Sequence, residues 1–396
     1  MLQVEYEPIS LIEPLMPVSG DRRLEDLAIE LIAKSSALGS QLKPAVVESI
    51  GDLVRSMNCY YSNLIEGHNT HLRDIDRALA GEYSQDTQKR SLQLEARAHI
   101  EVQRSIDSAS DGVNVVSTDY IRWIHREFCT KLPEALLWVG NPDTGDQRRV
   151  IPGELRTQGV SVGQHIPPNA VSVPRFLERF AEAYSPNRLS KLQQVIAVAA
   201  SHHRLLWIHP FLDGNGRVTR LLSHAYLKQI GVGNSLWSVS RGLARRVSEY
   251  KSLLNAADQQ RWNDLDGRGN LTARGLQRFC EFFLEICIDQ VEFMASLIEP
   301  SELLNRMALY VEEEVRAGRL KKRSFALLQE ALLAGEFERG RAAYLTGYQD
   351  RQARTVLSSL LKSGLLVSDR AKTPVRLGFP VSVVERWFPK LYLGLG

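Results

Sequence analysis

The segment from Leu189 to Trp207 constrains this chain more than any other. Leu192, Val195, Ile196, Val198, Ala199, Ala200, Leu205 and Leu206 leave almost no polar face at helical spacing. A helix that is apolar nearly all round has to be covered on every side. The segment therefore predicts a buried central helix in a mainly α fold. His202 and His203 fall on it and are read as structural side chains.

Directly after it comes His-Pro-Phe-Leu-Asp-Gly-Asn-Gly-Arg-Val-Thr-Arg, His209 to Arg220. Gly214, Asn215 and Gly216 tolerate positive φ, so the turn can aim several N–H groups into one concavity. Val218, Leu221, Leu222, Ala225 and Leu227 then mark a helix over 217–230. A glycine-rich turn feeding a helix N-terminus is a phosphate site. Arg217 and Arg220 share a face of the first turn and can make charge-assisted bonds to phosphate oxygens. Asp213 is the hard oxygen ligand that Mg2+ uses when it also holds phosphates. His209 is a base whose ordinary pKa, roughly 6.5, lies near working pH. Phe211 is read as a core anchor that sets the loop.

This stretch resembles the Fic family signature, HPFx[D/E]GNGRxxR, at every specified position. The resemblance implies a Fic-type helical core that transfers AMP from ATP to a hydroxyl group of a protein. His209 would take the proton from a Tyr, Thr or Ser, and Asp213 would hold Mg2+. Gly214, Asn215, Gly216 and Arg217 would receive the phosphates, and Arg220 would grip the γ-phosphate.

Upstream, Ser62-Asn-Leu-Ile-Glu66-Gly67 reads as a helix end with Gly67 as the left-handed cap. A carboxylate in a last turn opposes the helix dipole, so Glu66 needs a reason to be there. The stretch is similar to the family's inhibitory motif, [S/T]xxxE[G/N], in its N-terminal, class II position. The resemblance implies that Glu66 pairs with Arg220, so that ATP binds unproductively until the pair opens. Gly153 to Arg156 resembles a G-x-x-R segment of the family. Gly159 to Pro168 alternates apolar and polar residues and reads as a short β-hairpin. In the family such a flap docks the target's backbone by strand addition, which points to Val160, Val162, His165 and Ile166. Tyr250 and Leu254, on a helix expected over 243–257, are placed by the resemblance at the adenine.

Composition narrows the rest. The chain has 396 residues, 44% hydrophobic and 24% charged, enough for two or three cored domains. A net charge of +3 argues neither for nor against nucleic acid. Cys59, Cys129, Cys280 and Cys287 form no C-x-x-C pair, which disfavours a zinc ribbon and fits a reducing cytoplasm. Glu5, Glu7 and Glu13 near the start argue against a signal peptide, and no apolar run is long enough to span a membrane.

Further helices are expected over 22–38, from Pro44 to about Asn63, over 84–104, 118–128, 174–184 and 276–298. Pro8, Pro14 and Pro17 keep residues 1–20 extended. His68 and His71 are read as solvated neighbours of a cap at Asn69 or Thr70, not as metal ligands. Past Glu299-Pro300, helices over 302–316 and 322–334 precede a helix–turn–helix (340–345 and 350–362). Two short strands at 365–368 and 374–377 complete the order of a winged helix. Arg351 and Arg354 open its second helix, where DNA contacts would lie.

The expected organisation is thus an N-terminal helical region (1–110) with the inhibitory motif, a catalytic core (111–300) and a winged-helix-like domain (301–396). ATP, Mg2+ and a hydroxyl-bearing target protein, the chain itself included, are the implied partners. DNA is a further candidate and a homodimer is compatible with the resemblance. Two rival readings share these residues: hydrolytic removal of AMP, and an ATP-sensing winged-helix regulator.

Overall fold

The computed structural model describes residues 5–40, 42–109, 112–140, 145–370 and 373–392. Two compact units divide the chain. One comprises Met1–Ser35, Asn58–Asn234 and Ser238–Gln290; the other comprises Ser36–Met57, Ser235–Trp237 and Val291–Gly396. Both draw on discontinuous stretches, because helices α2 (Pro44–Ile65) and α11 (Ala273–Ile298) each have a part in either unit.

Before α11 the helices are α1 (Arg22–Ser40), α2, α3 (Leu72–Leu79), α4 (Thr87–Ser108), α5 (Thr118–Cys129), α6 (Val173–Tyr184), α7 (Lys191–Ile208), α8 (Asn215–Gln229), α9 (Val239–Arg245) and α10 (Val247–Asp258). Their starts are written in the sequence. Asp86 caps α4 by accepting from Lys89 N–H, and Ser117 caps α5 by accepting from Tyr120 N–H. Ser190 and Gln193 form a reciprocal capping box on α7. As expected, α7 is buried along most of its length. It packs against α6, α8 and α10, while α8 also touches α4, α5 and α9. Strands β1 (Trp138–Gly140) and β2 (Gln147–Arg149) form an antiparallel hairpin.

In the second unit α12 (Pro300–Arg316) and α13 (Ser324–Ala334) precede β3 (Glu336–Phe337). Helices α14 (Ala342–Thr346) and α15 (Asp350–Lys362) follow, separated by Gly347 at φ 68°. Strands β4 (Leu366–Val367) and β5 (Val375–Leu377) and helix α16 (Val381–Trp387) close the unit. The sheet order is β3-β5-β4, antiparallel throughout.

Several local expectations change. Residues 9–12 form one 3-10 turn inside the extended N-terminal stretch. The helix expected over 243–257 is two, broken at Arg246, whose φ of −117° and ψ of 36° leave the helical region. Helix α3 is capped at His71, without a side-chain bond, and not at Asn69 or Thr70. The sequence reading did not anticipate β3 or α16.

Candidate active site

Helix α7 ends at His209, whose φ of 48° and ψ of 63° are left-handed. A non-glycine residue pays for that conformation, so something has to hold it. Arg156 does. Its Nε donates to the His209 carbonyl at 2.7 Å, Nη1 to Gln158 O at 2.9 Å, and Nη2 to Pro168 O at 2.5 Å and Ile208 O at 3.3 Å. The Arg156 N–H also reaches Pro210 O at 2.9 Å. One buried guanidinium thus ties the G-x-x-R segment, the flap and the loop together, and burial lowers its pKa to about 10. Burial also lowers the His209 pKa to about 4, helped by the nearby Arg156 charge. The imidazole is therefore neutral, the form a base requires.

Beyond His209 the loop closes on itself. Asn215 Oδ1 accepts from Phe211 N–H and its Nδ2 donates to Phe211 O, each at 2.9 Å. The Asn215 side chain, expected to line the anion site, is therefore spent on bracing the loop. What this position offers an anion is its N–H. Gly214, at φ 79°, is the N-cap of α8, so the N–H groups of Asn215, Gly216 and Arg217 begin the helix without partners inside it. Phe211 is fully buried, as expected of an anchor, and its ring stacks on His125 with centroids 3.9 Å apart.

Sequence reasoning missed His125. Its Nδ1 accepts from Gly153 N–H at 2.8 Å, and the Asp213 backbone bonds the ring as well. Burial depresses its pKa to about 4, so it braces the loop as a neutral ring. Asp213 is exposed, and its Oδ1 accepts from Gly214 N–H at 2.6 Å. Among the described residues no group of three His, Cys, Asp or Glu forms a metal cage. A lone exposed carboxylate beside a phosphate cradle nevertheless fits Mg2+, which takes its remaining ligands from phosphates and water.

Glu66 meets Arg220, as the resemblance implies, and Ser62 joins them. Arg220 Nη2 lies 2.6 Å from Glu66 Oε1, its Nε donates to Ser62 Oγ at 2.9 Å, and Nη2 reaches Ser62 O at 3.2 Å. Burial raises the Glu66 pKa, but the Arg220 and Arg217 charges and the Arg220 bond outweigh it, so the net shift is downward. Gly216 leaves the space that Glu66 Oε1 occupies, because a Cβ there would overlap it unless the carboxylate shifted. Tyr250, expected at the adenine, is instead buried among His202, Phe279 and Phe283. Its hydroxyl lies 2.7 Å from His202 Nε2. His202 is structural, with Nδ1 2.8 Å from Ser223 Oγ.

Arg217 does not stand free at the cradle. Its Nη2 is held by Glu95 of α4, which also bonds His68 at 2.8 Å. The Glu95 bond raises the His68 pKa, so His68, though partly exposed, is held by a carboxylate that the sequence reading did not foresee.

The flap is a minimal hairpin, with one pair of bonds between Val162 and His165 at 2.9 and 3.0 Å. Val162 and Ile166 are exposed and Val160 is half-buried. His165 turns inward instead, with Nε2 2.8 Å from Trp207 O and Nδ1 3.8 Å from Asp258. It pins the flap and does not present itself to a target.

This geometry has counterparts in known proteins. Residues 115–227 match the Fic/DOC family model. Protein adenylyltransferase Fic of Drosophila erecta is 40% identical over 79 residues, covering 20% of this chain and 16% of that protein. The Drosophila melanogaster protein of the same name matches to the same extent. The chain thus spans only 16% of the length of these curated relatives. A Fic family protein from Desulfovibrio desulfuricans G20 superposes with a TM-score of 0.53 at 17% identity, covering 92% of this chain and 98% of that one. Fic-1 from C. elegans does so at 0.50 and 16% identity, covering 71% and 73%. At such identities the likeness shows the fold.

Proposed function

We propose that this chain is a protein adenylyltransferase, moving AMP from ATP to a hydroxyl of a protein, and that Glu66 restrains it. The observation that carries the reading is the geometry of one loop: a neutral base, His209, at its start and an open helix N-terminus at its end. His209 takes the hydroxyl proton, and the oxygen attacks the α-phosphorus as pyrophosphate leaves. The N–H groups of residues 215–217 receive phosphate oxygens, and Arg220 takes the γ-phosphate once Glu66 yields it. Such transfer demands chiefly positioning and charge neutralisation. Asp213 would hold Mg2+, which supplies further neutralisation of phosphate charge. The exposed Val162 and Ile166 suit the flap to an extended target segment.

The test is labelling of Glu66→Gly by ATP marked at the α- or the γ-phosphate, with His209→Ala as control. Label from the α position alone, abolished by His209→Ala, is the expected result. Label from the γ position alone would mean kinase chemistry, and silence from both would favour AMP removal or a nucleotide sensor.

A separate reading applies to the second unit. The order α13, β3, α14, α15, β4, β5, with sheet order β3-β5-β4, supports reading it as a winged helix. Arg351 and Arg354 are exposed on the first turns of α15 and have no ion pair among the described residues. We assign this face to duplex DNA. Salt-dependent binding of a random duplex, weakened by Arg351→Ala with Arg354→Ala, is expected; an unchanged affinity would remove the assignment.

A further inference from the structure

Behind the phosphate-facing Arg217 lie two residues to which the proposed reaction gives no role, Glu95 and His68. Glu95 sits in the body of α4, and its side chain is 2% exposed. A carboxylate that deep is costly unless opposite charge meets it. Its two oxygens are divided: Oε1 takes Arg217 Nη2, and Oε2 lies 2.8 Å from His68 Nδ1. Arg217 Nη2 also lies 3.0 Å from His68 Nδ1, so three segments converge on one carboxylate. The Arg217 guanidinium lies 5.7 Å from the centroid of the Phe128 ring, and its buried Nε has no partner among the described residues.

The two arginines at the start of α8 therefore have different carboxylates. Glu66 closes the end of α2 beside Gly67, at φ 83°, and its side chain is 32% exposed. It can withdraw by a local change. Glu95 lies within the 22 residues of α4 with its carboxylate buried and ion-paired, so no change at a helix end releases it. One carboxylate is removable and the other is a fixture.

We propose that Glu95 is a positioning residue for nucleotide binding: it fixes the Arg217 guanidinium against Phe128 before the polyphosphate arrives. This rests on the reading of the Arg217 N-terminal turn as the phosphate cradle. An arginine held in one orientation loses less freedom when a ligand binds. His68 shares the carboxylate while the segment carrying Glu66 is docked. Withdrawal of that segment leaves both Glu95 oxygens to Arg217, the two-pronged arrangement that aligns a guanidinium best.

The test is ATP affinity by calorimetry, with KM and kcat for labelling, all in the Glu66→Gly background. Glu95→Ala is expected to raise Kd and KM by about tenfold with kcat nearly unchanged, the signature of lost binding common to ground and transition states. Glu95→Gln, whose amide oxygen still accepts from Nη2, is expected to restore both to within about threefold of the background. A purely structural residue would lower thermal stability without this split or rescue. Unchanged Kd in Glu95→Ala, or Gln no better than Ala, overturns the proposal. If Glu95→Ala does not fold, Glu95→Asp replaces it, since it retracts the carboxylate by one methylene. Affinity weakened by Asp and kept by Gln supports the assignment, and equal affinities overturn it. Failure of the Glu66→Gly background itself to bind ATP would instead count against the proposed function.

Discussion

Ser62→Ala tests the restraint on Arg220 without touching a charge. The Ser62 hydroxyl accepts from Arg220 Nε at 2.9 Å, and both residues are almost wholly buried. Leaving a buried donor unsatisfied costs about 1–3 kcal/mol. The Ser62 carbonyl and Glu66 still hold Nη2, so the restraint weakens but does not vanish. If this bond belongs to the restrained pose alone, a loss of about 1.4 kcal/mol frees Arg220 roughly tenfold more often. The initial rate of α-labelled AMP incorporation should therefore rise about tenfold over wild type. It should stay below that of Glu66→Gly. The double variant should label no faster than Glu66→Gly, because both side chains act on one guanidinium and their effects cannot add. A folded Ser62→Ala protein labelling at the wild-type rate would refute the argument. A rate below wild type would reverse it, making Ser62 a support of the productive pose.

Three other outcomes follow from the site. With the His209 pKa depressed to about 4, the neutral base persists as pH falls, so kcat/KM of Glu66→Gly should decline only near pH 4 once nucleotide protonation is allowed for; an acid limb near 6.5 would mean that burial does not set its basicity. Buried neutral His125 and His209 titrate more readily when unfolded, so the melting temperature should fall as pH drops from about 6.5 towards 4, and a flat profile there would contradict their depressed pKa values. Arg156→Lys cannot serve the carbonyls of Gln158, Pro168, Ile208 and His209 together, so stability should drop by about 2–4 kcal/mol and labelling should collapse; an unchanged denaturation midpoint would show that the anchor is dispensable.

The loop from His209 to Arg220 was legible because its chemistry is local. Base, turn, helix start and both arginines lie within twelve consecutive residues, and the inhibitory stretch keeps a fixed spacing of its own. Contacts made across the fold left no such trace. His125 belongs to α5 and touches Gly153 and Asp213 only after folding. Glu95 left a faint signal: with His99 and Gln103 it forms a row four residues apart on α4, and all three are buried. Polar residues repeating along a core face ask for partners, yet the sequence does not say which. Tyr250 misled because its type suits an adenine wall, and burial depends on how α10 packs. The flap's length was readable, but the inward turn of His165 depends on a carbonyl at the end of α7.

The glycine at 216 leaves room for the Glu66 carboxylate beside Arg220. Under the proposed function the inhibitory carboxylate is a tethered ligand, with an effective concentration on the order of millimolar for a short link. Free ATP contends with it through its last phosphate, at Arg220. ADP has no such group. Glu66 therefore weighs more on the triphosphate than on the diphosphate, and the ratio of the two nucleotides becomes a quantity to which the tether is sensitive.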